Sequence, residues 1–243
     1  MRLDQELVRR KLVSSRTEAQ ELISTGCVLI NNIVCTKQIK QVNESDNIVL
    51  TSQRQFVSRG GEKLQGILHD IFVDDKNINE FCNWKTAVDI GSSTGGFTDC
   101  LLYYGVEHVD DVDVGTLQLH EKLRNNSKVS VYENTDIRNF NLNKTYDIVV
   151  ADLSFIKLSH VIDDIIRLSK EGAHCFLLIK PQFEVGRGNT KKGIVKDKKL
   201  VEEILLEYKK LVEEKGVTSI KIIPCHLQGG DGNQEYFLYG IAK

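Results

Sequence analysis

Eleven residues, Val-Asp-Ile-Gly-Ser-Ser-Thr-Gly-Gly-Phe-Thr from Val88 to Thr98, constrain what this chain can fold into more than any other stretch. An apolar run from Thr86 to Ile90, carrying Asp89, reads as a buried strand. A loop of small residues follows, then a helical pattern from Phe97 to Tyr104. Gly91, Gly95 and Gly96 let the backbone turn sharply and approach a ligand closely. The helix start beyond them offers unpaired N–H groups to something polar or anionic. A strand, glycine-rich loop and helix in that order build a nucleotide-type cofactor site at the carboxyl end of a parallel sheet. The spacing, G-x-x-x-G-G, matches neither the dinucleotide pattern G-x-G-x-x-G nor the P-loop. Asp89, Gly91, Ser92, Ser93, Thr94, Gly95, Gly96 and Phe97 are therefore the first candidate cofactor residues. The competing reading is a tight turn with no ligand.

Around this motif the chain alternates two periodicities. Candidate strands span 86–90, 108–113, 129–133, 147–152, 175–180, 220–225 and 235–241; candidate helices span 61–70, 97–105, 116–124, 157–170 and 197–215. Such alternation implies an α/β domain with a mostly parallel sheet covered on both faces. Between 220 and 242 there is no room for a crossover helix, so the last strand must run antiparallel to its neighbour. A length of 243 residues, 41% hydrophobic and 27% charged, suits a globular chain with a real core. No apolar run approaches the roughly 18 residues of a membrane span, and the first residues lack the apolar stretch of a signal peptide. The cysteines at 27, 35, 82, 100, 175 and 225 show no C-x-x-C spacing. They read as reduced thiols of a cytoplasmic protein, with neither a metal site nor a disulfide framework.

The first fifty residues form a separate pattern. Leu3, Leu7, Val8 and Leu12, then Ala19, Leu22 and Ile23, give helical spacing over 2–13 and 16–25. Ser14 or Ser15 is placed to cap the second helix, and Gly26 to stop it. Short strands at 27–30, 33–36 and 47–50 complete a compact unit, followed by a polar linker over 51–58. Residues 1–59 carry nine Lys/Arg against six Asp/Glu, whereas the remainder is net acidic. A basic unit on an acidic body points to a polyanionic partner. Arg2, Arg9, Arg10, Lys11, Arg16 and Lys37 are the candidate phosphate contacts, with Gln20 as a hydrogen-bonding neighbour.

Further acids and one lysine stand at expected strand ends. Asp113 is placed to accept the hydroxyls of a bound ribose, ahead of Asp110 and Asp111, which lie earlier in the strand. Asp136 follows the third strand and can accept from an adenine amino group. Asp152 ends the fourth, and Lys180 ends the fifth after five apolar residues and before Pro181. A lysine there is partly desolvated and near a carboxylate; a purely structural ion pair is the alternative. Gly186–Gly193, rich in Gly and Lys, reads as a mobile basic loop over the entrance to this edge, or as a disordered surface loop.

The D-x-G-x-x-x-G-G-F pattern resembles motif I of S-adenosylmethionine (SAM) methyltransferases. Arg2-Leu3-Asp4, Ser14-Ser15-Arg16, Ala19-Gln20, Ile23, Gly26-Cys27-Val28, Ile30-Asn31 and Val34 together resemble an S4 RNA-binding domain. With R-G-G-E-K-L at 59–64, V-A-D-L-S-F-I at 150–156 and L-L-I-K-P-Q-F-E at 177–184, the whole chain resembles the TlyA (hemolysin A) family. That resemblance implies an S4 domain (α+β) over 1–50, a linker over 51–58, and over 59–243 an FtsJ-like class I SAM-methyltransferase domain with a Rossmann-like, seven-stranded sheet. It implies 2′-O-ribose methylation of ribosomal RNA, on cytidine, with SAM as cofactor and rRNA or a ribosomal subunit as partner. The family's catalytic Lys-Asp-Lys-Glu tetrad falls here on Lys63, Asp152, Lys180 and Glu235. Two positions depart from its usual pattern: Phe56 replaces a Tyr, and Asp136-Ile137-Arg138 replaces Asn-x-Arg. A ribosome-associated factor without catalysis and a membrane-active hemolysin are the rival readings. The intact tetrad weighs against the first, and the absence of a spanning or long amphipathic basic segment against the second.

Overall fold

The computed structural model describes residues 1–13, 15–24, 26–51, 55–186 and 188–243. Ser14, residues 52–54 of the expected linker and Arg187 of the basic loop lie outside the described residues. The chain forms two compact units, Met1–Gln55 and Phe56–Lys243.

In the first unit α1 (Leu3–Arg9) and α2 (Arg16–Ser24) precede β1 (Val28–Ile30), β2 (Ile33–Val34) and β3 (Ile48–Leu50), paired antiparallel in the order β2-β1-β3. Leu3, Leu7, Ala19, Leu22, Ile23 and Val28 share one core, as their i, i+3, i+4 spacing requires. Ser15 Oγ accepts from the Glu18 N–H at 3.2 Å and caps α2. The β1–β2 turn is made by Asn31 and Asn32, both at positive φ (51° and 67°), as a two-residue hairpin demands. Helix α1 stops at Arg9, short of the expected residue 13, where Lys11 turns to φ 56°.

The second unit opens with α3 (Arg59–Phe72) and α4 (Asp75–Cys82), followed by β4 (Thr86–Ile90), α5 (Gly96–Tyr103), β5 (His108–Val112), α6 (Glu121–Arg124) and β6 (Val129–Tyr132). It continues with β7 (Tyr146–Ala151), α7 (Ile162–Leu168), β8 (Ser169–Ile179), α8 (Pro181–Glu184), α9 (Lys198–Glu214), β9 (Thr218–Pro224) and β10 (Tyr236–Ile241). The sheet order is β6-β5-β4-β7-β8-β10-β9; β6, β5, β4, β7 and β8 pair in parallel, and β10 runs antiparallel to both β8 and β9. Successive strand residues face opposite layers. Val88, Ile90, Val149, Cys175 and Leu177 pack with α7 and α9, whereas Ala87, Ile148, Val150, Phe176 and Leu178 pack with α3, α4 and α5.

Elements of the second unit also differ from the sequence expectation: the helix expected over 157–170 is confined to α7, and the short helix α8 was not foreseen. Helix α4 was not foreseen: its only buried residues are Ile78 and Cys82, too few for a visible apolar stripe, and it is set by Asp74 accepting from the Asn77 N–H. The helix expected over 116–124 shrinks to 121–124, because Leu117 turns to φ 56° with its side chain in solvent. Strand β8 starts at Ser169, its polar first half held through Gly172 N–H to Ala242 O.

Beneath the β4–α5 turn lies a polar cluster. Asp89 Oδ2 accepts from the Thr98 N–H (3.0 Å) and hydroxyl (2.8 Å), and the same hydroxyl also meets Asp111 Oδ1. One hydroxyl proton cannot serve two carboxylates, and Asp89 Oδ1 and Asp111 Oδ2 are buried without a partner. Burial first, then the negative charges of Asp110 and Asp113, push the Asp111 carboxyl up to about 7. Burial and the charge of Asp111 push Asp89 up as well. The folded state therefore holds protons that the unfolded chain has released, so this cluster lowers stability as pH rises from the ordinary carboxylate range toward 7. Asp111→Asn is expected to flatten that part of the pH profile. At pH 8 it should raise the melting temperature of the unliganded protein by about 2–4 °C for each 1 kcal/mol gained. Thermal melts from pH 4 to 8 decide it; an unchanged slope would refute the shared-proton cluster.

Candidate active site

The strand ends carry the cofactor candidates. Gly91 sits at φ +78° where a Cβ would lie 2.7 Å from the Asp152 carbonyl, so only glycine lets the ends of β4 and β7 approach this closely. Ser93 and Thr94 are exposed, while Ser92 is buried beneath them. The Ser93 N–H donates to Asp113 Oδ2 at 2.8 Å and the Gly115 N–H to Asp113 Oδ1 at 2.6 Å. Asp113 is the strand-end acid open to solvent. Asp110 is buried against Lys144 and Tyr146, and Asp111 against Thr98. Asp136 caps the turn at 137–139 and takes the Arg138 guanidinium, which holds its carboxyl down to about 2.

Three of the expected cofactor residues also serve packing. The Phe97 side chain is buried in the core, its ring 5.9 Å from that of Phe237. A Cβ on Gly95 would strike Leu123 Cδ1, and one on Gly96 would lie 2.8 Å from the Gly61 nitrogen, so these glycines let α5 seat against its neighbours. Val114 and Leu117, which sequence reasoning missed, flank Asp113 as exposed apolar side chains. Their only signal was an apolar residue directly after the strand-end acid.

The tetrad positions converge. Lys63, on the buried face of α3, places Nζ 2.5 Å from Glu235 Oε2, and both side chains are almost fully buried. Lys180 forms an ion pair with Asp152 and donates to Ser154 Oγ at 3.0 Å. Register brings the two pairs together: Tyr236, which starts β10, opposes Ile179, which ends β8, so Glu235 just before β10 stands beside Lys180 just after β8. The buried Cys225 thiol feels the charges of all four groups; burial chiefly pushes it up to about 12, which leaves it an inert apolar wall. Phe155 was also missed. It is 91% exposed at φ +65°, an uncommon conformation for a bulky residue, and its ring lies 5.0 Å from that of Phe183, over which Lys180 sits.

These residues fit SAM. The edge offers carboxylates at Asp113 and Asp136, a buried Asp89 oxygen without a partner, a glycine cradle at Gly91 and apolar side chains at Val114 and Leu117. A cationic sulfonium and ammonium, ribose hydroxyls and a flat base ask for that set.

In the first unit the arginines are not free. Asp4, buried, accepts from Arg2 Nε and Nη2 (3.0 Å each), Arg16 Nη2 (3.0 Å) and Gln20 Nε2 (2.9 Å), and these partners hold its carboxyl well below the usual range against the cost of burial. Glu6 takes Arg9 and Arg10 and is held down to about 2. Arg10 also donates to the carbonyls of Asn43, Glu44 and Asp46, so it serves as a strut for that loop. Arg2, Arg9 and Arg16 keep outward edges, and Lys11 and Lys37 are exposed without an ion pair among the described residues.

The FtsJ-like methyltransferase family model matches residues 56–241, and the S4 domain model residues 1–48. The chain is 38% identical to the 16S/23S rRNA (cytidine-2′-O)-methyltransferase TlyA of Mycobacterium tuberculosis, over 98% of this chain and 88% of that one. It is 34% identical to hemolysin A of Brachyspira hyodysenteriae, over 99% and 100%. A solved structure of a hemolysin from Streptococcus thermophilus superposes with a TM-score of 0.76 at 28% identity, covering 100% of this chain and 88% of that one. With an S4 unit, an FtsJ-like sheet and full-length relatives at this identity, the chain belongs to the TlyA family of FtsJ-like methyltransferases.

Proposed function

We propose that this chain transfers a methyl group from SAM to a ribose 2′-hydroxyl of ribosomal RNA, on cytidine, in keeping with the activity named for its Mycobacterium relative. The observation that carries this reading is the convergence of Lys63, Asp152, Lys180 and Glu235 at the edge that also bears Asp113. The cofactor supplies an electrophilic methyl on a sulfonium; the remaining work falls to the protein. Asp113 holds the cofactor's ribose, and Asp136 is placed for the adenine edge. Lys180, fixed by Asp152 and Ser154, keeps a third N–H for the attacking hydroxyl oxygen and aligns it in line. As the new bond forms, the hydroxyl becomes strongly acidic; Lys180 gives one ammonium proton to the Asp152 carboxylate and takes the hydroxyl proton in its place. Glu235 neutralises Lys63 and fixes it beside the ribose. Phe155 and Phe183 offer ring faces on which the target base stacks. The first unit binds the RNA backbone through Arg2, Arg9, Arg16, Lys11 and Lys37, with Gln20 holding Asp4 in place. Six cysteines outside any disulfide fit the reducing cytoplasm, where ribosomal RNA is found.

Three expectations test the reading. Lys180→Ala should cut single-turnover methylation of an rRNA fragment by at least about 10²–10⁴-fold while SAM and RNA affinities stay within a few fold. Lys180→Arg should not rescue, since a guanidinium does not give up its proton. Near-normal turnover in Lys180→Ala would remove the mechanism.

Asp113→Ala should weaken SAM binding by about 1.5–3 kcal/mol, or about 10- to 150-fold. Calorimetry reads this directly. The loss should not be reproduced through the cofactor hydroxyls by Asp110→Ala, because Asp110 faces Lys144 and Tyr146.

Charge reversal of Lys11 and Lys37, which form no ion pair among the described residues, should weaken rRNA binding and reduce the salt slope by about one unit per lost phosphate contact. An unchanged slope would move the RNA surface elsewhere.

A further inference from the structure

Asn233 is a buried amide, 3% exposed, near the catalytic edge but with no reactive chemistry of its own. Its Oδ1 accepts from the Val195 N–H at 3.0 Å, and its Nδ2 donates to the Gly193 carbonyl at 2.9 Å. The Asn233 carbonyl accepts from the Gly229 N–H at 2.8 Å. Gly229 in turn backs onto Glu235: a Cβ there would lie 2.5 Å from Glu235 Oε1. One side chain thus ties segment 193–195 to the turn that delivers Glu235 two residues later.

The tied segment runs through a cationic strap. Lys191, Lys192, Lys196, Lys198 and Lys199 are all exposed, and among the described residues none of the five forms an ion pair. Asp197, the acid between them, spends its carboxylate on the Lys199 and Leu200 N–H groups as the cap of α9. The strap closes as a short turn in which the Lys191 N–H donates to Ile194 O (2.9 Å) and the Ile194 N–H to Lys191 O (3.2 Å). Five unneutralised lysines within 191–199 match one partner chemistry, a phosphodiester backbone.

Resting on the RNA-methylation reading above, we propose that the 191–199 strap grips the RNA backbone beside the target ribose, and that Asn233 is a positioning residue that makes the strap and Glu235 one unit. Engagement of phosphate then sets Glu235, and through it Lys63, for the reaction. A buried amide bonded at both ends cannot shift without stranding the Val195 N–H or the Gly193 carbonyl, so displacement of the strap is passed on to the turn. Small displacements at a reacting centre are costly: about 1 Å is enough for a 10²-fold loss in rate.

The experiment is single-turnover methylation of an rRNA fragment by the full chain, across RNA concentrations up to saturation. Lys191→Glu with Lys192→Glu changes only surface charge. It should lower the saturated rate by about 10-fold or more as well as weakening RNA binding, with SAM affinity unchanged by calorimetry. Asn233→Ala should lower the saturated rate similarly. In that background the lysine reversals should weaken RNA binding without lowering the saturated rate further, a non-additivity that mere destabilisation does not produce. If the lysine reversals change only RNA affinity, or if the rate losses multiply, the coupling is refuted. Should Asn233→Ala not fold, the lysine arm decides alone. Wild-type protein that binds the fragment and SAM yet transfers no methyl would sink the activity itself, and this inference with it.

Discussion

The antiparallel insertion of β10 between β8 and β9 is the constraint on which the catalytic edge depends. In a sheet whose other strands run one way, only a reversed strand presents its first residue at the carboxyl edge of its neighbours. The Tyr236–Ile179 register therefore sets Glu235 beside Lys180, although the two lie far apart in sequence. Glu235 in turn makes it tolerable to bury Lys63, which faces inward from α3. A buried lysine without a counter-charge costs several kcal/mol, so the pair is held together by necessity once the fold closes. The arrangement contributes little net stability by this argument; its return is a fixed charge pattern where the hydroxyl must be aligned.

Helix α3 repeats the theme along one face. Arg59, Lys63, Gly66 and Asp70 recur at i, i+4, i+7 and i+11, and each meets the segment joining β9 to β10. Arg59 donates to Gln228 O, Lys63 pairs with Glu235, and Asp70 meets His226 Nε2 at 2.9 Å. Gly66 leaves room for the His226 ring, which a Cβ would meet at 2.8 Å. The helix before the sheet thus acts as a rail for the loop after it. This explains why R-G-G-E-K-L at 59–64 lies so far from its partners in sequence yet belongs to the same site.

Much of this was legible in the sequence, and the exceptions share a cause. Strands β4, β5, β7 and β10 fell within a residue or so of expectation, because burial on both faces forces near-continuous apolar runs. Asp113 was placed by strand polarity, and it stands at the strand end while Asp110 faces Lys144 and Asp111 faces Thr98. What residue type did not report was solvent exposure. Phe97 and Gly96 sit inside a cofactor motif yet face the α3–α5 packing, whereas Phe155, an apolar residue in a loop, faces outward. Periodicity cannot report such choices, since they are set by elements distant in sequence. Helix α4 was invisible for a related reason: two buried side chains make no stripe, and a single cap decides the turn.

The arginines of the first unit show how buried acids can organise a cationic face. Counted by charge, Asp4 and Glu6 subtract from the positive face; placed by structure, they organise it. Each carboxylate is buried and takes several guanidinium or amide donors, so the arginine planes are held before any RNA arrives. An unrestrained arginine loses up to about 2 kcal/mol of rotamer freedom when fixed on a phosphate, whereas these have already lost it in folding. Their outer N–H groups remain directed at solvent, and the lysines at 11 and 37 add charge that is not committed. Net charge therefore understates this surface. A modest excess of cations, fixed in orientation by two buried acids, is a better template for a phosphate backbone than a larger excess of mobile ones.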